Sequence, residues 1–184
     1  PGFVLDAYKQ APLGVMRGDM MRYIMLYEYG GIWMDLDIKS TGIPLMNWLQ
    51  LNASLVFGIE YTNAKELALT GDNKQVDSAR GNLCQWFLAA EPHHPVFALA
   101  RDMAARNTLE LLKTPELIGT KSAVHDATGP MLFTDAVCKH FGIKECKDMD
   151  LVTSQLPSSV QVLTRDQVSR TYVQHFWASA FWQT

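Results

Sequence analysis

The chain has 184 residues, 48% hydrophobic and 19% charged, which is long enough to bury a core and is an ordinary globular balance rather than a disordered or fibrous one. Its net charge is −3 with scattered basic residues, which makes nucleic acid a poor ligand, and no apolar run in this segment reaches the roughly 18 residues of a membrane span. Cys84, Cys138 and Cys146 match no metal-knuckle spacing; Cys138 and Cys146 could bridge, but unpaired thiols or an unresolved pairing are the favoured reading, and the redox compartment stays open.

In chain order, residues 3–11 read as a helix that Pro12 and Gly14 break. From Met16 to Tyr29 the positions Met20, Tyr23, Ile24 and Tyr27 fall at helical spacing, with Asp19 expected in the first turn and Arg22 three residues on, sharing its face. Gly30 and Gly31 end that helix, because glycine takes the left-handed geometry of a helix stop at little steric cost. A strand is expected over Ile32–Ile38. Along it, Ile32, Met34, Leu36 and Ile38 would line one face and Asp35 and Asp37 the other. Two acids so close repel, and each would raise the pKa of the other unless a cation or a set of donors neutralises them.

Thr41 to Leu51 reads as a turn and short helix around Pro44 and Trp48. Here the triplet Asn52-Ala53-Ser54 is a sequon, which permits a secreted or lumenal life. Leu55–Glu60 and Asn82–Ala90 are apolar enough for buried strands, and the polar stretch 61–81 between them reads as a functional loop. Pro92 and Pro95 precede a helix over Val96–Leu112, and 113–126 reads as a connection. Thr128 is the expected N-cap of a helix through His140, with Gly129 and Pro130 in its first turn and Gly142 as its stop. Val160–Leu163 resembles an edge strand, and the tail from Tyr172 to Trp182 is rich in aromatics. Alternating strands and helices predict an α/β fold.

The acids carry the chemistry. Hard carboxylate oxygens suit Mn²⁺, Mg²⁺ or Ca²⁺ and leave coordination places for the phosphate oxygens of a substrate. Folded back by the Gly30-Gly31 turn, the helix would bring Asp19 and Arg22 to the same pocket, where the guanidinium could hold sugar hydroxyls or phosphate. Taken alone, D-x-D is an exposed strand end, and Asp19 with Arg22 is an i, i+3 pair worth a few tenths of a kcal/mol.

The pattern G-D-x-x-R-Y-x-x-L-Y-x-Y-G-G-I-W-x-D-L-D-I over Gly18–Ile38 resembles the sugar-binding D-x-D region of glycosyltransferase family 32. VFGIEY at 56–61, CQWFLAAEPHHPVF at 84–97 and ATGPMLFTDAV at 127–137 resemble the later blocks of the Och1-type α-1,6-mannosyltransferases of fungi, in the same order. The resemblance implies a single GT-A domain over residues 1–184. It also implies a nucleotide-sugar donor (GDP-mannose favoured, a UDP-hexose possible), a glycan acceptor, Mn²⁺ or Mg²⁺, and transfer with retention of anomeric configuration. By position, Asp19 and Arg22 match donor-sugar contacts, Asp35 the nucleotide-facing first acid and Asp37 the metal ligand. Asn82, Gln85 and Trp86 match a block near the donor and acceptor pocket, and Thr128 with Gly129 matches the T-G-P helix start. In the family a late histidine approaches metal and diphosphate ahead of a short ending; His175 and Trp182 are the candidates here, although HFWASAFW does not register cleanly on that ending. His93 and His94, side by side, make a poor chelate, whereas His125 and Asp126 are candidate acceptor contacts. Family members carry a strand–helix–strand unit for the base ahead of the matched region, and the expectation is that this chain lacks it, either as a fragment of a longer protein or as a shortened homologue that binds nucleotide poorly. With an anchor upstream, the Golgi lumen would be the location.

Two rivals remain. A D-x-D phosphatase also ends an apolar strand in two acids, but looks for Thr or Val two residues after the second acid, where Lys39 stands. A non-catalytic carbohydrate-binding or decayed transferase domain is the other.

Overall fold

The computed structural model describes residues 2–62 and 80–175. The structure opens on two helices, α1 (Gly2–Gln10) and α2 (Gly14–Tyr29), as the breaking residues Pro12 and Gly14 predict. The buried positions of α2, namely Met16, Asp19, Met20, Arg22, Tyr23 and Leu26, follow the helical period and form one face. Because α2 starts at Gly14, Asp19 lies a turn deeper than the expected first turn, and it is 1% exposed. The helix stops at Gly30, whose φ of 63° is left-handed and where a Cβ would stand 2.6 Å from the backbone nitrogen of Pro92. Only glycine meets both demands.

The strand that follows is shorter than the sequence suggests. β1 spans Gly31–Met34, the chain turns with the Ile38 N–H on the Asp35 carbonyl at 3.3 Å, and β2 spans Ile38–Ser40. Aspartate is favoured at the first position of such a turn. The expected apolar face is also inverted. Ile32 and Met34 are 40% and 49% exposed and Leu36 is 98% exposed, whereas Trp33 and Asp35 face the protein. Asp35 and Asp37 therefore belong to a turn and not to one face of a continuous strand.

β3 (Leu55–Tyr61) and β4 (Asn82–Ala90) are the buried strands expected, and nearly every residue of both is covered. β5 (Val160–Leu163) is the predicted edge strand. The main sheet runs β1-β4-β3-β5, with β4 antiparallel to both neighbours and β3 parallel to β5, while β2 pairs antiparallel with β6 (Val173–His175). The α/β expectation holds as a mixed sheet backed by helices. Beyond the sheet lie α3 (Pro95–Leu111), α4 (Lys121–Ala127), α5 (Pro130–Phe141) and α6 (Met149–Thr153). α4 falls within the stretch read as a connection, where its Thr120 cap was not legible as a helix start.

The sheet separates two apolar clusters. On one side Leu55, Phe57, Ile59, Leu83 and Leu88 pack with residues of α1 to α5; the Phe133 ring meets those of Tyr23, Phe57 and Phe97 at centroid distances of 6.1, 5.9 and 6.0 Å. On the other, Trp48, Val56, Cys84, Trp86, Phe87 and Val168 form a smaller cluster, with Trp48 stacked on Tyr172 at 4.7 Å. In β4, Leu83 and Leu88 face the helices although five residues apart, because the register slips between Phe57 and Ile59 of β3. A bulge of this kind re-aims side chains, and this one turns Gln85 toward α2 while its neighbour Trp86 joins the opposite cluster. Cys138 and Cys146 are joined by a disulfide, correcting the preference for unpaired thiols; the bridge ties the end of α5 to the loop that follows it. Cys84 is a buried thiol, and burial pushes its pKa well above the ordinary value.

Candidate active site

Three elements converge below the Asp35 turn. The edge of β1 carries Asp35 past Met34, where its N–H donates to the Trp86 carbonyl at 3.0 Å, so the bulged stretch of β4 holds the turn by its backbone. From α2, Arg22 reaches up: Nη2 donates to both oxygens of Asp35 at 3.1 and 3.2 Å, and Nη1 lies 3.2 Å from Asp19 Oδ1. One guanidinium thus bridges the helix acid and the turn acid. Trp33 Nε1 donates to Asp35 Oδ1 at 2.8 Å, and the Arg22 guanidinium lies 5.9 Å from the centre of the Trp33 ring. Trp33 was missed by the sequence reading. Its signal was its place two residues before Asp35, which in a strand puts both on one side.

Beneath Arg22 the network continues inward. Asp19 accepts from Gln85 Nε2 at 3.1 Å and from Thr128 Oγ1 at 2.7 Å. Tyr23 shares its single proton between Gln85 Oε1 at 2.6 Å and the Thr128 carbonyl at 2.8 Å. Burial is the largest influence on Asp19 and outweighs the pull of Arg22, lifting its carboxyl from 3.8 to about 6. Burial also acts to lower the pKa of Arg22, but Asp19 and then Asp35 outweigh it and hold the guanidinium above its ordinary value. Tyr23 is pushed well above 10, first by burial and then by Asp19, so it stays a neutral donor. A buried charge that loses its partner costs several kcal/mol, so each member of this network is fixed by the others.

The predicted residues sort as follows. Asp19, Arg22, Asp35, Gln85 and Thr128 are brought into one hydrogen-bonded group. Thr128 does so in a different role from the one expected: it ends α4, its hydroxyl serves Asp19, and Gly129 is the N-cap of α5 with Pro130 at its first position. A Cβ on Gly129 would lie 2.7 Å from the Cα of His125, which explains glycine there. Asp37 sits half-buried two residues beyond Asp35. Asn82 is diverted from the group and donates to Glu60 Oε2 at 2.6 Å. Trp86 packs in the opposite cluster, and its carbonyl accepts the N–H of Asp35.

The backbone register sets His175 opposite Ile38, one residue from Asp37, while Trp182 and positions 63–79 lie outside the described residues. His94 accepts from the Val96 N–H and caps α3, and His93 meets Tyr27 edge-on at 5.3 Å. His125 and Asp126 lie on α4; burial drives the His125 pKa down to about 4 and that of Asp126 up.

Carboxylate oxygens of Asp35 and Asp37 have the hard donor chemistry of a Mn²⁺ or Mg²⁺ site. Among the described residues no group of three or more His, Cys, Asp or Glu side chains could hold a metal ion. Asp35 is engaged by Arg22 and Trp33.

Residues 1–55 match the family described as glycosyltransferase sugar-binding region containing DXD motif. By this match and those below, the chain is similar to glycosyltransferases that carry that region. Its particular likeness is to enzymes named initiation-specific alpha-1,6-mannosyltransferase. That of Schizosaccharomyces pombe is 30% identical over 139 residues, covering 73% of this chain and 34% of the relative. That of Candida albicans is 24% identical over 151 residues, covering 74% and 38%. Inositol phosphoceramide mannosyltransferase 3 of Schizosaccharomyces pombe is 41% identical over 46 residues, covering 24% of this chain and 13% of the relative. The chain spans little more than a third of the length of the first two relatives. No solved structure matches it.

Proposed function

We propose that the chain is part of a GT-A-type domain of a metal-assisted, retaining glycosyltransferase. In this reading it moves a hexose, mannose favoured, from a nucleoside diphosphate donor to a hydroxyl of a glycan. GDP-mannose is the favoured donor and a UDP-hexose the alternative. The observation that carries the reading is the bridge made by Arg22 between Asp19 and Asp35, beside Asp37 in the same turn. Among the described residues, Arg22 Nε is buried without a hydrogen-bond partner and Nη1 meets Asp19 as an ion pair at 3.2 Å, so Nε is the donor left over for a sugar hydroxyl or phosphate oxygen.

In the proposed reaction Arg22, held by two acids, keeps its charge and orientation through turnover. Trp33 and the Trp86 carbonyl fix the Asp35 turn, so the nucleotide-facing carboxylate meets its ligand without reorganising. Asp37, joined by Asp35 and by His175 across from Ile38, would hold Mn²⁺ or Mg²⁺. The bound ion would neutralise charge on the departing diphosphate. Three protein ligands would leave a six-coordinate ion places for diphosphate oxygens. The sugar is held in place while an acceptor hydroxyl attacks from the face the diphosphate leaves, and positioning supplies much of the acceleration. The lumen of the Golgi is the proposed compartment, supported by the Cys138–Cys146 disulfide. Among the described residues, no helix is long and apolar enough to cross a membrane.

One observation favours a second reading, a non-catalytic carbohydrate-binding domain: Asp19 and Arg22 are 1% and 6% exposed and engaged with one another. Calorimetric titration with GDP-mannose and with UDP-glucose, each with and without Mn²⁺, separates the two. Metal-dependent binding of one nucleotide sugar is expected, and heat that is absent or indifferent to metal would favour the second reading.

A further inference from the structure

The sequon Asn52-Ala53-Ser54, the sole N-x-S/T triplet of the chain, plays no part in the chemistry above. Its surroundings suit a covalent modification. Asn52 is exposed in the turn that leads into β3, and the neighbouring Leu51 is 76% exposed, so the amide stands clear of the fold. The Ala53 N–H on the Gln50 carbonyl at 3.1 Å closes the turn and fixes the backbone that carries Asn52. The disulfide Cys138–Cys146 independently points to an oxidising compartment, where such triplets are modified.

We propose that Asn52 is an N-glycosylation site. The co-reactant is a lipid-linked diphospho-oligosaccharide, handled by the compartment's own oligosaccharide transferase. A bond forms between Asn52 Nδ2 and the anomeric carbon of the oligosaccharide, the bond from that carbon to the diphosphate oxygen breaks with its electron pair going to the diphosphate, and the amide gives up one proton.

The order of synthesis favours the transfer. In the finished fold both the N–H and the hydroxyl of Ser54 donate to the Ser159 carbonyl, at 2.8 and 3.3 Å, so the triplet's hydroxyl is occupied. Ser159 lies 105 residues downstream, however, and a nascent chain presents the triplet long before that partner exists. Transfer thus precedes the pairing of β3 with β5.

The glycan would not obstruct the site. Gly31 of β1 and Leu55 of β3 are level with each other, both opposite Ala90 of β4, whereas Asp35 bonds to Trp86, four residues or about 13 Å along that strand. Asn52 lies beyond the Leu55 end, away from Asp35. A glycan there would cover Leu51 and leave the turn of acids open.

The inference rests on the lumenal reading above, and its test can fail separately from the transferase reading. The chain is produced through a eukaryotic secretory pathway, and its mobility and intact mass are compared before and after an amidase that releases N-linked glycans. Wild type and Ser54→Thr should shift, with the Asn52 amide converted to a carboxyl, and Asn52→Gln and Ser54→Ala should not. Alkylation of free thiols reports the disulfide in the same samples. A bridged wild-type chain without glycan, or a shift that persists in Asn52→Gln, overturns the site and leaves the transferase reading standing. A glycosylated chain that binds no nucleotide sugar upholds the site and overturns the transferase reading.

Discussion

Arg22 Nη2 lies 3.1 and 3.2 Å from the two oxygens of Asp35, thirteen residues away in sequence and across the Gly30-Gly31 turn. Asp19, on the same helix face, holds the other side of the guanidinium at 3.2 Å. The helix and the turn of acids thus form one electrostatic unit with a single cation at its centre.

Removing that cation should cost both stability and binding. Arg22→Ala leaves a buried carboxylate and a half-buried one without their partner, and a loss of about 3 to 5 kcal/mol is expected in chemical denaturation. Arg22→Lys keeps the charge but loses the planar fork, so it should recover part of the stability while still weakening nucleotide-sugar affinity. Equal stability of Arg22→Ala and wild type would mean the bridge does not hold the turn.

Asp19 gives stability a pH dependence of definite sign. Its folded value, about 6, lies above the 3.8 of an unperturbed carboxyl, so the native state holds the proton more tightly. The contribution is fully present below about 4 and is lost as pH rises through 6. Denaturation of wild type and Asp19→Asn across that window should show wild type losing ground as pH rises, and a difference that grows in the opposite direction would refute the assignment.

His94 acts in the opposite sense. Burial, then the nearby His140, lowers its pKa from 6.5 to about 4, and its neutral Nδ1 accepts the Val96 N–H that caps α3. Its contribution is present above 6.5 and is lost as pH falls through 4. His94→Asn preserves a capping acceptor without the titration, so it should flatten the acid side of the stability profile relative to wild type. His125 shares the same sense and is untouched by that comparison.

Much of this was legible locally. The helix stop at Gly30, both buried strands and the share of one face by Asp19 and Arg22 follow from spacing and glycine chemistry, because the forces involved act within a turn or two. The turn of acids was not. Strand alternation predicted a shared face for Asp35 and Asp37, but the chain leaves the strand at Met34 once the Asp35 N–H finds Trp86, a partner in the β4 bulge. Thr128 misled for the same reason. Its local sequence reads as a helix cap, while its hydroxyl is claimed by Asp19, 109 residues away. The Thr120 cap of α4 was overlooked because the segment around it lacks an apolar stripe.

Asp37, beside the bridged pair of Arg22 and Asp35, is proposed to serve metal-dependent sugar transfer. The most direct measurement is transfer of labelled mannose from GDP-mannose to a mannose-terminated oligosaccharide, with and without Mn²⁺, by wild type and Asp37→Ala. Wild type should transfer only with the ion, and Asp37→Ala should fall by about a hundredfold or more with an unchanged circular dichroism spectrum. Full turnover by Asp37→Ala, or by wild type freed of metal, would contradict it.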